Sequence, residues 1–424
     1  MEGSDISISE NIIKIGDYAI IQKVGGDHIR LQKINMKQKV LIEKLKFEGD
    51  SLIGEKYGLF EVVKGKCKKV NAQELLKQDG TGDIEMRHTD IDTMKNDAIY
   101  TNGGTSEEFG EDGLEKNLSQ KRQILTHVEI GQLREQGANA ADLVTHLISG
   151  NTCFNERTSH AKDKYVRKKT QRYQDRVLVL KPTIRLITES YYKRDPDRIA
   201  NIRVDLLGHM LALSSIRYGS KVFVFDQVLG LLLSSVIERL ASSGTCLTLH
   251  RGTSLQGVPC LDAMNFTSEQ LSTLHTLPVQ TLLTRESIFE KEEERENASD
   301  RSKERRGERI AKEKYALSLL GPQDNKNYGG FFDIILIATR TVNPIDLLEN
   351  IWSSLAFSGT IVLYTPNIQH TITVYKWLRD NGGININIVD SFFRVHQILE
   401  GRCHPLMMQN VSGGYIVSGI KTKK

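Results

Sequence analysis

The sequence lacks any long hydrophobic run. Its most apolar stretches, residues 206–216 and 222–237, are interrupted by polar residues such as His209 and Asp226. A membrane-spanning helix needs about 18 to 20 apolar residues in succession, so we expect a soluble chain. The first five residues are acidic and polar, unlike the start of a signal peptide. We therefore also expect an intracellular protein.

The sequence also has few cysteines and little net charge. The five cysteines lie far apart and form no Cys-x-x-Cys pair, so we expect neither a disulfide framework nor a zinc site. The net charge of +4 comes from 57 Lys and Arg against 53 Asp and Glu, and it says little about partners. With 424 residues, 39% of them hydrophobic, the chain has enough apolar side chains for two or three domains. This composition excludes a chain that is disordered throughout.

Residues 11–70 have the pattern of short β-strands. Their spacing of about ten residues, with turn residues between them, predicts a small β-barrel, and we place an N-terminal barrel domain at residues 1–80. The segment carries 13 Lys and Arg against 7 Asp and Glu, which the solvated exterior of a barrel would also explain. The predicted strands are Tyr18–Val24, His28–Ile34, Lys39–Leu45 and Tyr57–Val63.

Two further segments separate this domain from the rest of the chain. Residues 81–117 hold ten acids, three bases and five glycines, which predicts an acidic flexible linker. Residues 118–175 are predicted to be a helical linker. Thr126 and Glu129 form the pattern of a capping box before the first helix, and Gly150 ends the second. A helical hairpin packed on its neighbours is favoured over a DNA-binding helix pair.

The strongest charge asymmetry lies between residues 157 and 194. This stretch has 12 Lys and Arg against 3 acids, and four tyrosines are interleaved with the bases. The alternative is the solvated face of a helix, but bases this dense with aromatic residues between them favour a phosphate-binding surface. The sequence therefore predicts nucleic-acid binding here.

From residue 176 onward, strand and helix patterns alternate, which predicts a doubly wound, mostly parallel sheet in a domain at residues 176–424. A charged segment near residues 288–314 interrupts it. This segment is predicted to be a disordered insertion, with a solvated helix as the alternative. The predicted strands are Val177–Leu180, Lys221–Phe225, Thr245–Leu249, Phe332–Ile337 and Thr360–Tyr364. The predicted helices are Arg203–Leu213, Leu229–Leu240, Ile345–Leu355 and Ile368–Asn381.

The first βα turn of this domain lies where class I methyltransferases carry a loop that binds S-adenosylmethionine. That loop has glycines at alternate positions after an acid, so that the backbone can turn tightly and approach the cofactor. After Asp226, the sequence has Val228, Gly230 and Leu232, with a glycine at only one of the three positions. Bulky side chains thus stand where the cofactor would lie.

Two other features of an active site are missing as well. The second strand leads into His250 instead of an acid that could hold ribose hydroxyls, and the fourth leads into Ala338 and Arg340. The chain has no Gly-x-Ser-x-Gly, phosphate-loop or His-Glu-x-x-His motif. We therefore expect a degenerate, Rossmann-like methyltransferase fold with no catalytic residue and no bound cofactor. An active methyltransferase with a divergent cofactor loop is the alternative.

Several short blocks, in order over about 350 residues, resemble one family. The chain is similar to the non-catalytic, RNA-binding subunits of the eukaryotic tRNA adenine-N1-methyltransferase, which modifies position 58. The blocks are Ile53–Gly58, Asp163–Lys169, Lys181–Thr183, Arg203–Asp205, His404–Pro405 and Ser412–Gly419.

The resemblance implies a 2:2 heterotetramer with a catalytic subunit that binds S-adenosylmethionine. It also implies tRNA as the bound nucleic acid and the nucleus as the location. A stand-alone RNA-binding protein is a third hypothesis. The residues that we expect to contact tRNA are Lys121, Arg122, Lys164, Arg167, Lys168, Lys169, Arg172, Arg198, Arg203, Arg340, Arg394 and His396.

Overall fold

The chain divides into two compact units, Met1–Lys181 and Pro182–Lys424. The acidic segment predicted to be a linker lies outside the described residues. The computed structural model describes residues 11–24, 28–43, 45–63, 65–70, 125–126, 129–130, 132–133, 140–159, 161–163, 165–166, 169, 175–291, 300–322, 329–399, 401–407 and 409–423.

The first unit contains an antiparallel sheet of five strands in the order β2-β1-β7-β5-β6, and a separate hairpin of β3 and β4. The four predicted strands are confirmed, whereas β4 and β6 were missed. The pairings among the described strands leave the predicted closure into a barrel untested. The strands are β1 Tyr18–Lys23, β2 Ile29–Lys33, β3 Lys39–Ile42, β4 Leu45–Glu48, β5 Gly58–Val63, β6 Lys66–Lys69 and β7 Arg176–Leu180.

The position of β7 corrects the predicted domain boundary. This strand pairs antiparallel with both β1 and β5, so that Val179 lies opposite Ile21 on one side and Gly58 on the other. The sequence placed it at the start of the second domain, but it is the middle strand of the first sheet. The boundary therefore falls after Lys181 rather than before Arg176. Val177 and Val179 are fully buried and complete a core that includes Ile21.

The predicted capping box is confirmed. The backbone N–H of Thr126 donates to the Glu129 carboxylate at 2.7 Å, and the N–H of Glu129 donates to the Thr126 hydroxyl at 3.3 Å. These bonds satisfy donors at a helix start. The bonds that the Thr126 N–H and hydroxyl donate to the carboxylate lower the pKa of Glu129. Helix α1 spans Ala140–Ser149 and buries Leu143 and Leu147 against Ile130.

The second unit is built on a seven-stranded sheet, which confirms the predicted α/β architecture. Five strands are parallel, and β16 runs antiparallel between β12 and β13. Numbered within the sheet, the order is 3-2-1-4-5-7-6. The strands, in spatial order, are β10 Leu274–Pro278, β9 Thr245–His250, β8 Lys221–Asp226, β11 Phe332–Ala338, β12 Leu355–Thr365, β16 Ser412–Lys421 and β13 Gly383–Phe392.

Helices follow most of the parallel strands, and a small hairpin of β14 His396–Leu399 and β15 Arg402–Pro405 lies between β13 and β16 in sequence. The central strands are apolar on both faces because they are covered on both sides. The helices are α2 Ile184–Arg194, α3 Val204–Ser214, α4 Leu231–Leu240, α5 Pro259–Ala263, α6 Ser268–Leu271, α7 Val279–Thr284, α8 Ile288–Lys291, α9 Asp300–Ser318, α10 Pro344–Ile351 and α11 Ile368–Asp380.

The charged insertion is helical from Asp300 onward, so the predicted disorder is wrong for that part. The alternative, a solvated helix, agrees with the exposure of most of α9. One charged residue is the exception: Glu313 is buried, and its carboxylate accepts the backbone N–H groups of Ile288 at 3.1 Å and Phe289 at 3.4 Å. It also accepts hydroxyl hydrogen bonds from Thr281 and Ser287. A buried carboxylate with this many donors fixes the helix to α7 and α8.

The glycine pair at the start of β16 allows a close passage. A Cβ on Gly414 would lie 2.5 Å from the Tyr364 ring. The Tyr364 hydroxyl donates to the backbone oxygen of Ala200 at 2.6 Å, so the ring is held in place. The Gly-Gly block that contributed to the family resemblance therefore has a packing reason.

Within the described ranges, no helix combines the length and the apolar character needed to cross a membrane. All five cysteines are free. Cys246 and Cys260 are buried, Cys67 and Cys153 are half-buried, and Cys403 is exposed.

We predict that Gly414→Ala lowers the free energy of unfolding by about 1–3 kcal/mol, because the added methyl overlaps the fixed Tyr364 ring. Gly208 is the matched control, because it lies inside α3 with open space where a Cβ would be. Gly208→Ala should raise stability by up to about 1 kcal/mol. Chemical denaturation measures both, and equal stability of Gly414→Ala and the parent would contradict the packing argument.

Candidate functional site

The sheet reverses its order between β8 and β11, and the crevice at the carboxyl ends of these strands is where such folds bind ligands. The loop after β8 begins with Asp226, which is followed by Gln227 and the start of α4. The loop after β11 contains Arg340. These two loops form the candidate site.

The Asp226 side chain fixes the first of these loops. One carboxylate oxygen accepts the N–H groups of Val228 at 2.7 Å and Gly230 at 3.1 Å, and the other accepts that of Leu233 at 3.0 Å. Burial raises the pKa of Asp226, and the N–H bonds oppose that rise. The carboxylate thus binds the loop and the N-terminal end of α4, where a bound anion would lie in a nucleotide-binding fold.

The predicted substitution of cofactor-loop glycines has a clear structural result. Val228 is fully buried, and Leu229 adopts a positive φ of 62° where a glycine would be unstrained. Gly230, with φ of 76°, is the one glycine retained, and a Cβ there would lie 2.8 Å from that of Val258. The N–H of Cys260 donates to the oxygen of Leu229 at 3.1 Å. The start of α5 therefore packs directly on the loop.

Gln227 connects the two loops across the switch point. Its side-chain oxygen accepts the backbone N–H groups of Arg340 at 2.9 Å, Thr341 at 3.1 Å and Val342 at 3.2 Å. Its amide nitrogen donates to the Thr341 hydroxyl at 3.2 Å. Sequence reasoning missed this role. Its only sequence signal is an amide residue in the turn, which does not identify its hydrogen-bond partners.

The end of β9 offers no carboxylate to a ribose. His250 is buried, and its Nδ1 lies 3.4 Å from the backbone oxygen of Arg251. Burial lowers the pKa of His250, which favours a neutral ring. The residues at the crevice therefore do not fit S-adenosylmethionine.

Two of the predicted phosphate-binding arginines lie near this crevice. The side chains of Arg198 and Arg340 are exposed. Burial and the charge of Asp226 raise the pKa of Cys260, and the charge of Arg198 opposes the rise. Both side chains are accessible to a ligand.

The prediction for Arg203 is corrected, because its side chain is only 3% exposed. It pairs with Asp205 at 2.9 Å and donates to the backbone oxygens of Ser391 at 2.8 Å and Val411 at 2.9 Å. Burial alone would raise the pKa of Asp205, but the bonds from Arg203 and Ser391 lower it overall. Arg203 thus holds the ends of β13 and β16 against α3, a role that depends on residues about 190 and 210 positions away.

Arg394 and His396 are both exposed, as expected for contacts with a ligand. Only His396 lies in a strand. Arg394 precedes β14 and stacks over the ring of Phe392, with 5.5 Å between guanidinium carbon and ring centroid. His396 is the first residue of β14.

The basic segment of the first unit is described only in part. Lys169 and Arg157 lie over the same Tyr165 ring, at 5.2 Å and 4.9 Å from its centroid. Tyr165 packs on Phe154 at 5.6 Å, and Lys162 lies 5.8 Å from the Phe154 ring. Arg157 and Lys162 were missed as candidates, although the interleaved aromatics signalled such a cluster. The candidates outside the described residues are Lys121, Arg122, Lys164, Arg167, Lys168 and Arg172.

The sheet order and the loop at its switch point define a methyltransferase-like α/β protein in which Gln227 joins the two loops of the crevice. A SAM-dependent O-methyltransferase from Thermotoga maritima superposes with a TM-score of 0.52 at 9% identity, covering 99% of this chain and 98% of that one, which shows the fold alone. The sequence matches the Gcd10p family over residues 12–314, and the chain belongs to that family.

Curated relatives agree with this assignment. The chain is 27% identical to the tRNA (adenine(58)-N(1))-methyltransferase non-catalytic subunit trm6 of Dictyostelium discoideum, over 99% of this chain and 81% of the relative. It is 26% identical to the subunit of the same name from Mus musculus, over 97% and 89%. The resemblance found in the sequence is confirmed.

We predict that Asp226→Asn lowers the free energy of unfolding by about 1–3 kcal/mol, because one carboxylate oxygen becomes an amide that cannot accept the N–H groups it faces. Asp333→Asn is the control, since Asp333 is exposed and accepts one N–H, from Lys221 at 3.1 Å. The control should change stability by no more than about 0.5 kcal/mol. Thermal and chemical unfolding test both, and equal effects would contradict the role of Asp226.

Proposed function

We propose that this chain is the non-catalytic subunit of a tRNA adenine-N1-methyltransferase that modifies position 58. The observation that carries the proposal is the loop after β8, where two of the three expected glycines are replaced, Val258 packs on the one that is kept, and Gln227 is bonded to the loop after β11. The names of the relatives from Dictyostelium discoideum and Mus musculus support it. S-Adenosylmethionine then binds to the catalytic subunit, and this chain contributes to tRNA binding and assembly.

We predict that the isolated chain gives no measurable heat on titration with S-adenosylmethionine, whereas its complex with the catalytic subunit binds the cofactor. The reason is that the loop lacks two of the three expected glycines and that Gln227 bonds it to the loop after β11. Isothermal titration calorimetry on both samples is the measurement. Micromolar binding by the isolated chain would instead favour an active methyltransferase with a divergent loop.

The edge strand β13 supports a partner surface. Ile384 is 52% exposed and Phe392 73%, and Ile388 between them is also exposed. A strand at the edge of a sheet presents unpaired backbone groups, and exposed apolar side chains on it mark an interaction site. We assign this surface to the catalytic subunit, in a nuclear heterotetramer with two copies of each chain.

The apolar C-terminal segments Ile384–Val389 and Tyr415–Ile420 are both candidates for this contact from the sequence, and the second is corrected. β16 has pairing partners on both sides, β12 and β13, and its residues Ile416, Val417 and Ser418 are buried. Its backbone is therefore fully used within the sheet. Strand β13 is left as the candidate contact.

We predict that Ile388→Asp weakens association with the catalytic subunit by at least about 2 kcal/mol, as for a central apolar contact. Ile372→Asp is the matched control, because Ile372 is 39% exposed on α11 and Ile388 is 43% exposed. Co-expression followed by size-exclusion chromatography with mass measurement gives the assembly state. An Ile388→Asp variant that still forms the full complex would refute β13 as the interface. A stable monomer that leaves the partner fully active would favour a stand-alone RNA-binding protein.

The basic segment supports tRNA binding. Two cations stack on Tyr165, which itself packs on Phe154. They form a positively charged surface supported by aromatic rings, and such surfaces bind the nucleic-acid backbone. Arg198 and Arg340 add exposed charge in the second unit.

We predict that Lys168→Ala combined with Lys169→Ala weakens tRNA binding and flattens the salt dependence of log affinity by up to about 2, because each phosphate contact releases counterions. The loss should be similar for different tRNAs, since phosphate contacts do not read bases. Lys376→Ala with Arg379→Ala removes the same charge from α11 and is the control. Salt titrations of both variants, with a thermal melt of each, decide the matter. If both variants had the same salt dependence of log affinity, these lysines would be part of a solvated face that does not contact tRNA.

A further inference from the structure

Helix α9 presents a row of Lys and Arg side chains that has no role in the proposed function. Arg301, Arg305, Arg309 and Lys312 recur at every third or fourth residue, so they share one side of the helix, and all four are exposed. At about 1.5 Å per residue, this basic row is about 16 Å long. Glu304 and Glu308 flank it.

No ion pair holds the row within the described part of the chain. Like charges at i and i+4, such as Arg301 with Arg305, destabilise a helix, and Glu308, four residues before Lys312, offsets part of this cost. Among the described residues, the ion pair of α9 joins Lys314 to Glu290 and does not include the row. The four cations are therefore available to a partner of negative charge.

Other residues of α9 anchor this helix to its neighbours. The buried Glu313 carboxylate fixes the helix to α7 and α8, as described above. Arg306 donates to the backbone oxygen of Phe289 at 3.2 Å, and Lys314 pairs with Glu290 at 2.9 Å. These two bases are committed to the protein. The basic row is presented on a rigid element.

An exposed aromatic ring continues the row. Tyr315 follows Lys312 by three residues and is 50% exposed. Its ring packs on His275 of β10, with 5.0 Å between centroids, so one face is supported. Burial lowers the pKa of His275, so the ring behind Tyr315 is neutral at physiological pH. A supported tyrosine next to a row of cations is a platform on which a nucleic-acid base can stack.

We propose that the basic row and Tyr315 form a second RNA-binding surface, which follows the phosphates of one strand and stacks one unpaired base. This deepens the proposed tRNA binding and rests on it. A nucleic-acid strand carries one charge per nucleotide and offers bases for stacking, so it matches both parts of the surface. The chain's own acidic segment, residues 81–117 with ten acids against three bases, would match the charge but leave the tyrosine without a role.

The test compares Arg305→Gln with Arg309→Gln in the full chain, in complex with its catalytic subunit. The matched control is Lys303→Gln with Lys376→Gln, which removes the same charge from exposed helix positions outside the row. A tRNA transcript is titrated over a range of salt concentrations. The row variant should lose about 1.8 from the salt slope, or roughly 30-fold in affinity at 0.15 M salt, while the control stays near the parent. Tyr315→Leu should weaken binding about tenfold with the slope unchanged.

Each other outcome overturns the proposal in a distinguishable way. A row variant that matches the control in slope and affinity, with an unchanged thermal melt, shows that the row is a solvated face while tRNA binding itself stands. A parent complex that binds no tRNA removes the proposed function together with this surface. A peptide of residues 81–117 that binds the parent but not the row variant, with tRNA affinity unchanged, identifies the acidic segment as the occupant instead.

Discussion

The bonds from the Asp226 carboxylate to three backbone N–H groups determine what the second unit can do. In a nucleotide-binding fold, the donors at the start of the helix after the first strand are available to a ligand. Here the chain supplies its own anion, so the loop and the N-terminal end of α4 are already satisfied. The fold keeps the backbone path of a ligand site and uses it for its own cohesion.

Gln227 extends this arrangement across the sheet. By accepting three successive N–H groups after β11, it ties the two halves of the doubly wound sheet at the point where ligands normally separate them. Val258 packs on Gly230 beside these bonds. These internal contacts agree with a division of chemistry and scaffold between two kinds of subunit in the proposed complex.

The sequence predicted those parts of the fold that depend on local pattern. The buried parallel strands such as β8 and β11 are continuous apolar runs, and the altered cofactor loop can be read residue by residue. The sheet to which β7 belongs could not be predicted, because an alternating strand of five residues carries no information about its distant partners.

The same limit applies to charged residues whose partners are remote in sequence. Arg203 is a residue type that usually lies at the surface. It is buried here because the chain brings the backbone oxygens of Ser391 and Val411 next to it. Glu313 likewise lies in a segment that is charged throughout, yet it is the residue that orders the insertion. Whether a charged side chain is buried depends on where its hydrogen-bond partners lie in the fold. The spacing of residues in the sequence does not reveal those partners.

The order of strands in the second sheet also constrains how the protein forms. Strand β16 lies between β12 and β13, although it follows both in the chain. During synthesis from the N-terminus, β13 emerges before the strand that joins it to the sheet exists. Until then, β13 is unpaired and its apolar side chains are uncovered, unless a chaperone or an early partner protects it. Strand β16 is thus the strand that converts a five-stranded parallel core into a seven-stranded mixed sheet.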